Sequence, residues 1–105
     1  MIYNATLLRI DPPPPGNPGP ALSIRCAVTA PTAEQAALSA AMDWSATLVL
    51  VLAMGRVAAA GGPPPVNHRA VFQMDGCPPA TYRIAHVADR VGRGLSHIEL
   101  FLAAL

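Results

Sequence analysis

The sequence predicts a mainly β fold: a small antiparallel β-barrel or sandwich of about six strands with one short α-helix at residues 32–43. Three observations lead to this prediction. Apolar side chains recur at every second position in several short segments, which is the period of a half-buried strand. Proline- and glycine-rich stretches separate these segments, as loops and turns do. A helix start signal occurs only once, at Thr32. A chain of 105 residues fits a single domain, residues 1–105.

The first two predicted strands flank a proline-rich loop. Residues Ile2–Ile10 mix apolar and β-branched types, which is typical of a strand. In Pro12–Pro20 six of the nine residues are proline, so this segment lacks the N–H groups that strand pairing needs. We therefore expect a stiff projecting loop at residues 11–20. In Ala21–Ala30 apolar and polar side chains alternate, which predicts a second strand with one face in the core.

The middle of the chain holds the predicted helix and a central strand. Thr32 and Gln35 have the spacing of a capping box, and the alanines that follow have high helix propensity. Ser45–Met54 is apolar without clear alternation, which predicts a strand buried on both faces, with a buried helix as the alternative. Gly61–Pro65 reads Gly-Gly-Pro-Pro-Pro, so we expect a second projecting loop at residues 55–66.

Three further strands are predicted in the second half. Asn67–Met74 alternates and ends at Asp75 and Gly76, a dipeptide that favours a tight turn. A longer strand is expected from Ala80 to about Asp89. After a turn at Gly92–Gly94, His97–Ala103 is predicted to close the chain.

The composition indicates a protein with covered apolar surface. Apolar residues make up 52% of the chain and charged residues 12%, roughly half the usual charged share. Either neighbouring molecules cover part of the surface, which we favour, or alanine and proline inflate the apolar count. In particular, we expect Leu95, Ile98 and Phe101 to be exposed on the isolated chain and buried between copies. The net charge of +1 argues against a dedicated nucleic-acid binder.

The chain carries no recognisable export or membrane signal. Its first residues lack the basic and apolar regions of a secretory signal, so we expect synthesis and retention in the cytoplasm of the host. The most apolar window, Ala46–Met54, is about half of the roughly 20 residues that a membrane helix needs, so no membrane contact is predicted. Cys26 and Cys77 are expected to be reduced structural thiols, the first in the core and the second in a turn.

The polar residues do not form a recognisable catalytic set. His86 and Asp89 are three residues apart on a predicted strand, so they should point to opposite faces. Ser96 and His97 are neighbours and should also diverge. The three histidines have no spacing that pre-arranges metal ligands with a cysteine. These are His68, His86 and His97. We therefore predict no enzymatic activity, no cofactor and no metal.

The loops and the arginines are the predicted contact sites. Stiff proline-rich segments lose little conformational freedom on binding. Arg83, Arg90 and Arg93 form the densest basic group, which is either a solvated rim or a contact to DNA or to an acidic neighbour. The candidate partner-contact residues are Pro12, Pro15, Asn17, Pro20, Arg56, Pro63, Pro65, Arg90 and Arg93.

The order of these features carries a family resemblance. The start Met-Ile-Tyr-Asn-Ala-Thr-Leu is followed by an early loop and by Ile24–Val28, which leads to Pro31 and Thr32. The strands at Thr47–Leu50 and Tyr82–Val87 come later, before a turn and a C-terminal strand. This layout resembles the small head-completion proteins of tailed bacteriophages, the head-closure or stopper proteins between portal and tail.

The resemblance implies a structural role in the virion. Such a protein has no catalytic residues. It forms a homo-oligomeric ring under the portal or adaptor, closes the head channel, makes passing contact with genomic DNA and presents a platform to the tail. A tail terminator or a capsid-decoration protein is the nearest alternative. A small ligand-binding or enzymatic β-barrel is the alternative of another class, and clustering of His86, Ser96 and Cys77 around a deep apolar pocket would favour it.

Overall fold

Six strands close into an antiparallel barrel with the order β1-β2-β3-β6-β5-β4, which confirms the predicted fold class. The computed structural model describes residues 3–59, 61–91 and 96–105. The strands are β1 (Ala5–Asp11), β2 (Ile24–Thr29), β3 (Ala46–Ala53), β4 (Arg69–Met74), β5 (Pro79–Val91) and β6 (Ser96–Ala103). The helices are α1 (Ala33–Ala41) and α2 (Met54–Ala59).

Alternating side chains fill the barrel interior. On β2, Ile24, Cys26 and Val28 belong to the core, while Arg25 and Thr29 are exposed. The other strands contribute in the same way. The largest fully buried members of this core are Leu7, Leu50, Leu52, Phe72, Ile84, Ile98, Leu100 and Leu102. Burial of each such side chain contributes roughly 1.5–3 kcal/mol, so the barrel interior supplies most of the folding free energy.

A second buried layer lies on the outside of the barrel. Val49 on β3 pairs with Phe101 on β6, and both are buried although they do not belong to the interior core. Trp44, which follows α1, packs edge-on against Phe101 at a ring distance of 5.2 Å. The expectation that Ile98 and Phe101 are exposed is therefore wrong. Ile98 faces the interior and Phe101 is covered on the outside. Leu95 lies outside the described residues.

The antiparallel order places both proline-rich segments at one rim. β1, β3 and β5 run in one direction and β2, β4 and β6 in the other. Because a connection leaves from the end of its strand, segments 12–23 and 54–68 both leave from the rim where β1 and β3 end. We call this the proline rim. The β2–β3 connection, which carries α1, leaves from the opposite rim.

The prediction of one helix and of a loop at residues 55–66 needs correction. Met54–Ala59 forms α2, which immediately follows β3. Val57 in this helix is buried and belongs to the core, so one helical turn places an apolar side chain over the open end of the barrel. Tertiary packing stabilises a helix that has a glycine at its second position. The first loop also begins later than predicted, since Asp11 still pairs with Arg69 as the last residue of β1.

Candidate functional site

An apolar cavity of about 260 Å³ opens at the proline rim. Leu7, Ile24 and Leu52 line its floor from three strands, and Val57 lines it from α2. Ile10 lines it from the end of β1. The remaining lining residues come from the two proline-rich connections: Pro20, Leu22, Gly61, Gly62, Pro63, Pro64, Pro65 and His68. Among the described residues that line the cavity, His68 has the only titratable side chain. The site is therefore an apolar pocket with stiff walls and one polar group.

The first proline-rich segment is fixed to the barrel by its returning end. The Gly19 N–H donates to the Asp11 carboxylate at 2.9 Å, and the Leu22 N–H donates to the Leu8 carbonyl at 2.7 Å. A Cβ atom on Gly19 would lie 2.0 Å from the Ile10 carbonyl oxygen, a distance that no side chain tolerates. Glycine is therefore required where the segment crosses β1.

Asp11 is held in its charged form at the base of this segment. Its carboxylate also accepts a hydrogen bond from Arg9 Nε at 3.0 Å. Partial burial raises the pKa of Asp11, but the hydrogen bonds from Gly19 and Arg9 outweigh it. The pKa of this carboxyl therefore lies below its ordinary value.

The structure brings three of the predicted contact residues together. Pro20, Pro63 and Pro65 line the apolar cavity. Pro12 instead lines a separate groove that also contains Leu105. The other predicted contact residues lie apart. Pro15 and Asn17 are exposed in the first loop, and Arg56 is exposed on α2. Arg90 forms an ion pair with Glu99 and is half exposed, and Arg93 lies outside the described residues.

Helix α1 lies on the outside of the barrel with most of its surface uncovered. The predicted capping box is confirmed, because Thr32 Oγ1 accepts from the Gln35 N–H and Gln35 Oε1 accepts from the Thr32 N–H. Within the helix only Ser39 is buried, and Gln35 is half-buried. Leu38 is 41% exposed, and Met42, at the C-cap, is 57% exposed. The helix therefore leaves an apolar surface open to solvent.

A buried carboxylate attaches this helix to the barrel. Glu99 on β6 is only 9% exposed although it faces outward. Its carboxylate accepts from Gln35 Nε2 at 3.2 Å and from Arg90 Nε at 3.0 Å, and His97 Nε2 lies 3.5 Å away. Gln35 therefore links the helix N-cap to the sheet, a second role that the capping-box pattern alone could not reveal. Glu99, an acid within an otherwise apolar strand, is the one sequence signal that could have indicated a polar partner on the outside of the barrel.

Trp44 fixes the other end of α1. Asp43 and Ser45 on either side of it both have φ of 56°, in the left-handed region that non-glycine residues rarely adopt. This backbone places the Trp44 ring flat on His86, with ring centroids 4.0 Å apart and planes within 10°. His86 is thus packed in the outer layer, as expected for a histidine of a β-rich wall. Trp44 is a residue of this site that local sequence patterns do not reveal, and its being the only tryptophan is the one signal that could have drawn attention to it.

The residues that would have indicated an enzymatic pocket do not meet at the cavity. Its lining contains none of His86, Ser96 and Cys77. His86 pairs with outward-facing Phe101, whereas Asp89 pairs with inward-facing Ile98, so His86 and Asp89 do point to opposite faces. In the part of the chain that the structure describes, no three His, Cys, Asp or Glu side chains form a metal-binding cluster.

The two cysteines are both free thiols in different surroundings. Cys26 is fully buried in the barrel, and this burial raises the pKa of its thiol to about 11. Cys77 is exposed in the turn between β4 and β5, where its N–H donates to the Met74 carbonyl at 3.0 Å. Cys26 is therefore a core residue and is unreactive near neutral pH.

Comparisons with known proteins give no relative on which a function could be based. The chain matches no protein-family model, no curated protein and no solved structure. Among the described residues, neither helix has the length and apolar character needed to cross a membrane. The features of this chain that bear on its function are therefore the cavity, the uncovered helix and the loops.

Proposed function

We propose that this chain is a structural component of the neck of a tailed bacteriophage. It forms a ring between the portal or adaptor and the tail, closes the head channel and gives the tail a docking platform. The main observation that supports this proposal is the apolar surface left open on a barrel whose core is already complete. Helix α1 exposes Leu38 and Met42, and the proline rim exposes an apolar cavity. Only 12% of the residues are charged, so few charges offset this surface.

Barrel closure supports assembly through loops and helices. Each strand pairs with a neighbour on both sides, so the sheet offers no whole free strand to which another molecule could add. Surfaces that meet partners are then the two proline-rich connections and the outside of α1. The prolines stiffen the connections before binding, which reduces the entropy that an interface would lose.

The charges support a structural role rather than tight DNA binding. The net charge is +1, and three of the seven arginines already pair with acids among the described residues. We propose that contact with the genome is brief, as the DNA passes through the ring, and that the protein performs no catalytic turnover. It works in the virion after synthesis in the host cytoplasm.

The deciding experiment determines the assembled state of the chain, alone and with its proposed partners. The purified chain, alone and mixed with portal, adaptor and tail proteins of the same phage, is examined by mass photometry and negative-stain electron microscopy. We expect rings that join the portal side and the tail side. A chain that stays monomeric in every mixture would contradict the proposal. A ring found only at the tail tube would assign it as a tail terminator, and single copies on the capsid as a decoration protein.

Deletion of Pro12–Pro18 tests the first loop separately. The two ends of this stretch are adjacent, because Gly19 bonds to Asp11, and most of the stretch is exposed. The shortened chain should therefore fold and keep its thermal midpoint within a few degrees, but join its neck partners more weakly. Unchanged affinity for those partners would show that the loop is not a contact.

The cavity favours a small ligand-binding barrel as the second candidate. A dry apolar cavity of about 150 Å³ already admits benzene, and this one measures about 260 Å³. A ligand-binding barrel should gain thermal stability from small apolar compounds, by an amount that rises with their concentration. Saturable stabilisation by such a compound in a chain that never forms rings would favour this candidate over the neck proposal.

A further inference from the structure

The walls of the cavity at the proline rim are fixed before anything binds. The first proline-rich connection is tied to β1 by the hydrogen bonds described above. The second is tied at both ends. The Gly62 N–H donates to the Val57 carbonyl at 2.9 Å, and the Asn67 N–H donates to the Ile84 carbonyl at 2.8 Å. Between these two bonds lies Pro63–Val66, in which three of the four residues are prolines with a fixed φ. The cavity is therefore preformed, and a ligand spends little free energy on ordering it.

The lining sets the polarity of a ligand. Leu7, Leu52 and Val57 form a buried floor. Apart from His68, the other described lining residues are aliphatic, proline or glycine, and none of them is Asp, Glu, Lys or Arg. A charged group taken out of water here would find no opposite charge in the lining, which is costly. The cavity therefore suits a molecule that is uncharged and mostly apolar.

His68 supplies one polar contact at the edge of this apolar volume. Its carbonyl accepts from the Ile84 N–H at 2.8 Å, which fixes the backbone beside the cavity. Its imidazole ring has no hydrogen-bond partner among the residues that the structure describes. A neutral imidazole has one donor and one acceptor nitrogen. It can therefore bind one hydroxyl or carbonyl group of a ligand whose remainder lies among the aliphatic side chains.

The volume limits the length of the ligand. A dry apolar cavity of ~150 Å³ admits benzene. By proportion, the cavity of about 260 Å³ holds a molecule of roughly ten non-hydrogen atoms. Sites for drug-sized molecules measure roughly 300–1,000 Å³, and the mouths of β-barrels are a common place for them. This cavity has the usual place but a smaller volume, so a nucleotide or a flavin is too large for it.

We propose that the cavity binds a small uncharged aliphatic molecule that carries one hydroxyl or carbonyl group, and that this group bonds to His68. The aliphatic part lies against Leu7, Leu52 and Val57 and displaces water from the floor. This inference rests on the second candidate function, for which it names the ligand class, and it does not require the ring. An apolar side chain of a partner protein is the alternative occupant.

A series of straight-chain primary alcohols, from butanol to dodecanol, tests the cavity by ligand length. Binding to the full chain is measured by titration calorimetry and by the thermal midpoint. We expect the dissociation constant to fall about fourfold for each added CH₂ group, until the alcohol has roughly ten non-hydrogen atoms. Longer alcohols should show no further gain, because their additional carbons remain in water. Adsorption to an open apolar surface would have no such limit.

Two leucine variants test the location of the site. Leu22→Trp fills the cavity from its own wall and should weaken octanol binding at least about tenfold. Leu105→Trp is the matched control, since Leu105 is 65% exposed and lies outside this cavity. It should bind the whole series as the unmodified chain does. Circular dichroism checks that each variant is folded.

His68→Leu tests the polar contact at nearly constant size. Octanol is compared with fluorooctane, which has the same number of non-hydrogen atoms but no hydroxyl group. The affinity for octanol relative to fluorooctane should fall roughly fivefold in His68→Leu, the equivalent of one hydrogen bond. His68→Gln, which keeps a donor and an acceptor, should restore part of this ratio. A ratio that is the same in His68→Leu and in the unmodified chain would remove the hydroxyl or carbonyl group from the proposed ligand.

Three further results would overturn the inference. A folded chain that binds no alcohol would show that the cavity takes no small ligand, while the ring, which is measured separately, would be unaffected. A dissociation constant that keeps falling with chain length would indicate adsorption and favour a partner's side chain as the occupant. Equal binding by Leu22→Trp and Leu105→Trp would place the site elsewhere. Failure of the chain to form rings would count against the neck proposal alone.

Discussion

Gln35 should control how firmly α1 is attached to the barrel. Its side chain accepts from the Thr32 N–H at 2.9 Å and donates to the Glu99 carboxylate at 3.2 Å. Gln35→Ala removes a capping interaction worth ~0.5–1 kcal/mol and a hydrogen bond to a charged group worth ~1.5–3 kcal/mol. Alanine returns a few tenths of a kcal/mol through its helix propensity. Since Gln35 is half-buried and Glu99 keeps Arg90, we take the lower values and expect a net loss of about 2 kcal/mol.

The loss should appear as local opening of the helix. A free-energy change of ~2 kcal/mol corresponds to about 30-fold faster exchange of amide hydrogens in an element that opens by itself. We expect this acceleration at the Ala40 and Met42 amides, with little change in the amides of β4. The emission of Trp44, the only tryptophan, gives an independent readout, since its ring should leave His86 more often.

Gln35→Glu separates the two interactions. It keeps the oxygen that accepts from Thr32 but places a carboxylate against Glu99, and two like charges so close together repel. The pKa of the introduced carboxyl is therefore raised above its ordinary ~4.3. The penalty is present above this raised pKa and disappears as the pH falls below ~4.3. Asn17→Asp, which adds the same charge at an exposed position, is the control. Equal exchange rates in α1 for Gln35→Ala and the unmodified chain at pH 7 would refute the reasoning.

Two further predictions concern the first loop and the thiols. Gly19→Ala should lift the loop from β1, because its Cβ would lie 2.0 Å from the Ile10 carbonyl oxygen, and so increase proteolysis within the loop. Gly55→Ala, with nothing within 4 Å of its Cβ, should instead leave the protein stable or stabilise α2 by up to ~1 kcal/mol; equal proteolysis of the two variants would contradict the prediction. In the native protein at pH 8 a thiol reagent should modify exposed Cys77 only, and modify Cys26, whose pKa is raised to about 11, only after denaturation. Two fast-reacting thiols in the folded chain would disprove the assignment.

The parts of the fold predicted from sequence are those set by local patterns. The alternation in β2 and the capping box at Thr32 each depend on residues within one segment, and both are confirmed. Helix α2 was missed because Val57 stabilises it through contact with strands far away in sequence. Likewise, Phe101 is buried because the Trp44 ring packs against the outer face of β6. The segment that contains Phe101 could not predict this contact.

The candidate site was predicted only in part for the same reason. Composition predicts the proline-rich segments as contact regions, and this role stays a prediction. Their convergence on one cavity follows from the antiparallel order of the strands, which a single sequence without pairing information does not specify. Arg90 is predicted as a contact residue, but its ion pair with Glu99 depends on the register between β5 and β6, which the local sequence does not specify.

The chemistry of the first loop has a practical consequence for how a partner there could be detected. Of the nine residues Pro12–Pro20 only Gly16, Asn17 and Gly19 have an amide hydrogen. Gly16 donates to the Pro13 carbonyl and Gly19 to Asp11, so only the Asn17 amide has no partner among the described residues. A partner can cover this loop without stripping water from more than one donor. For the same reason amide exchange and spectra detected on amide hydrogens would record almost nothing, and the carbon resonances or carbon-bound hydrogens of the prolines would be needed to see the contact.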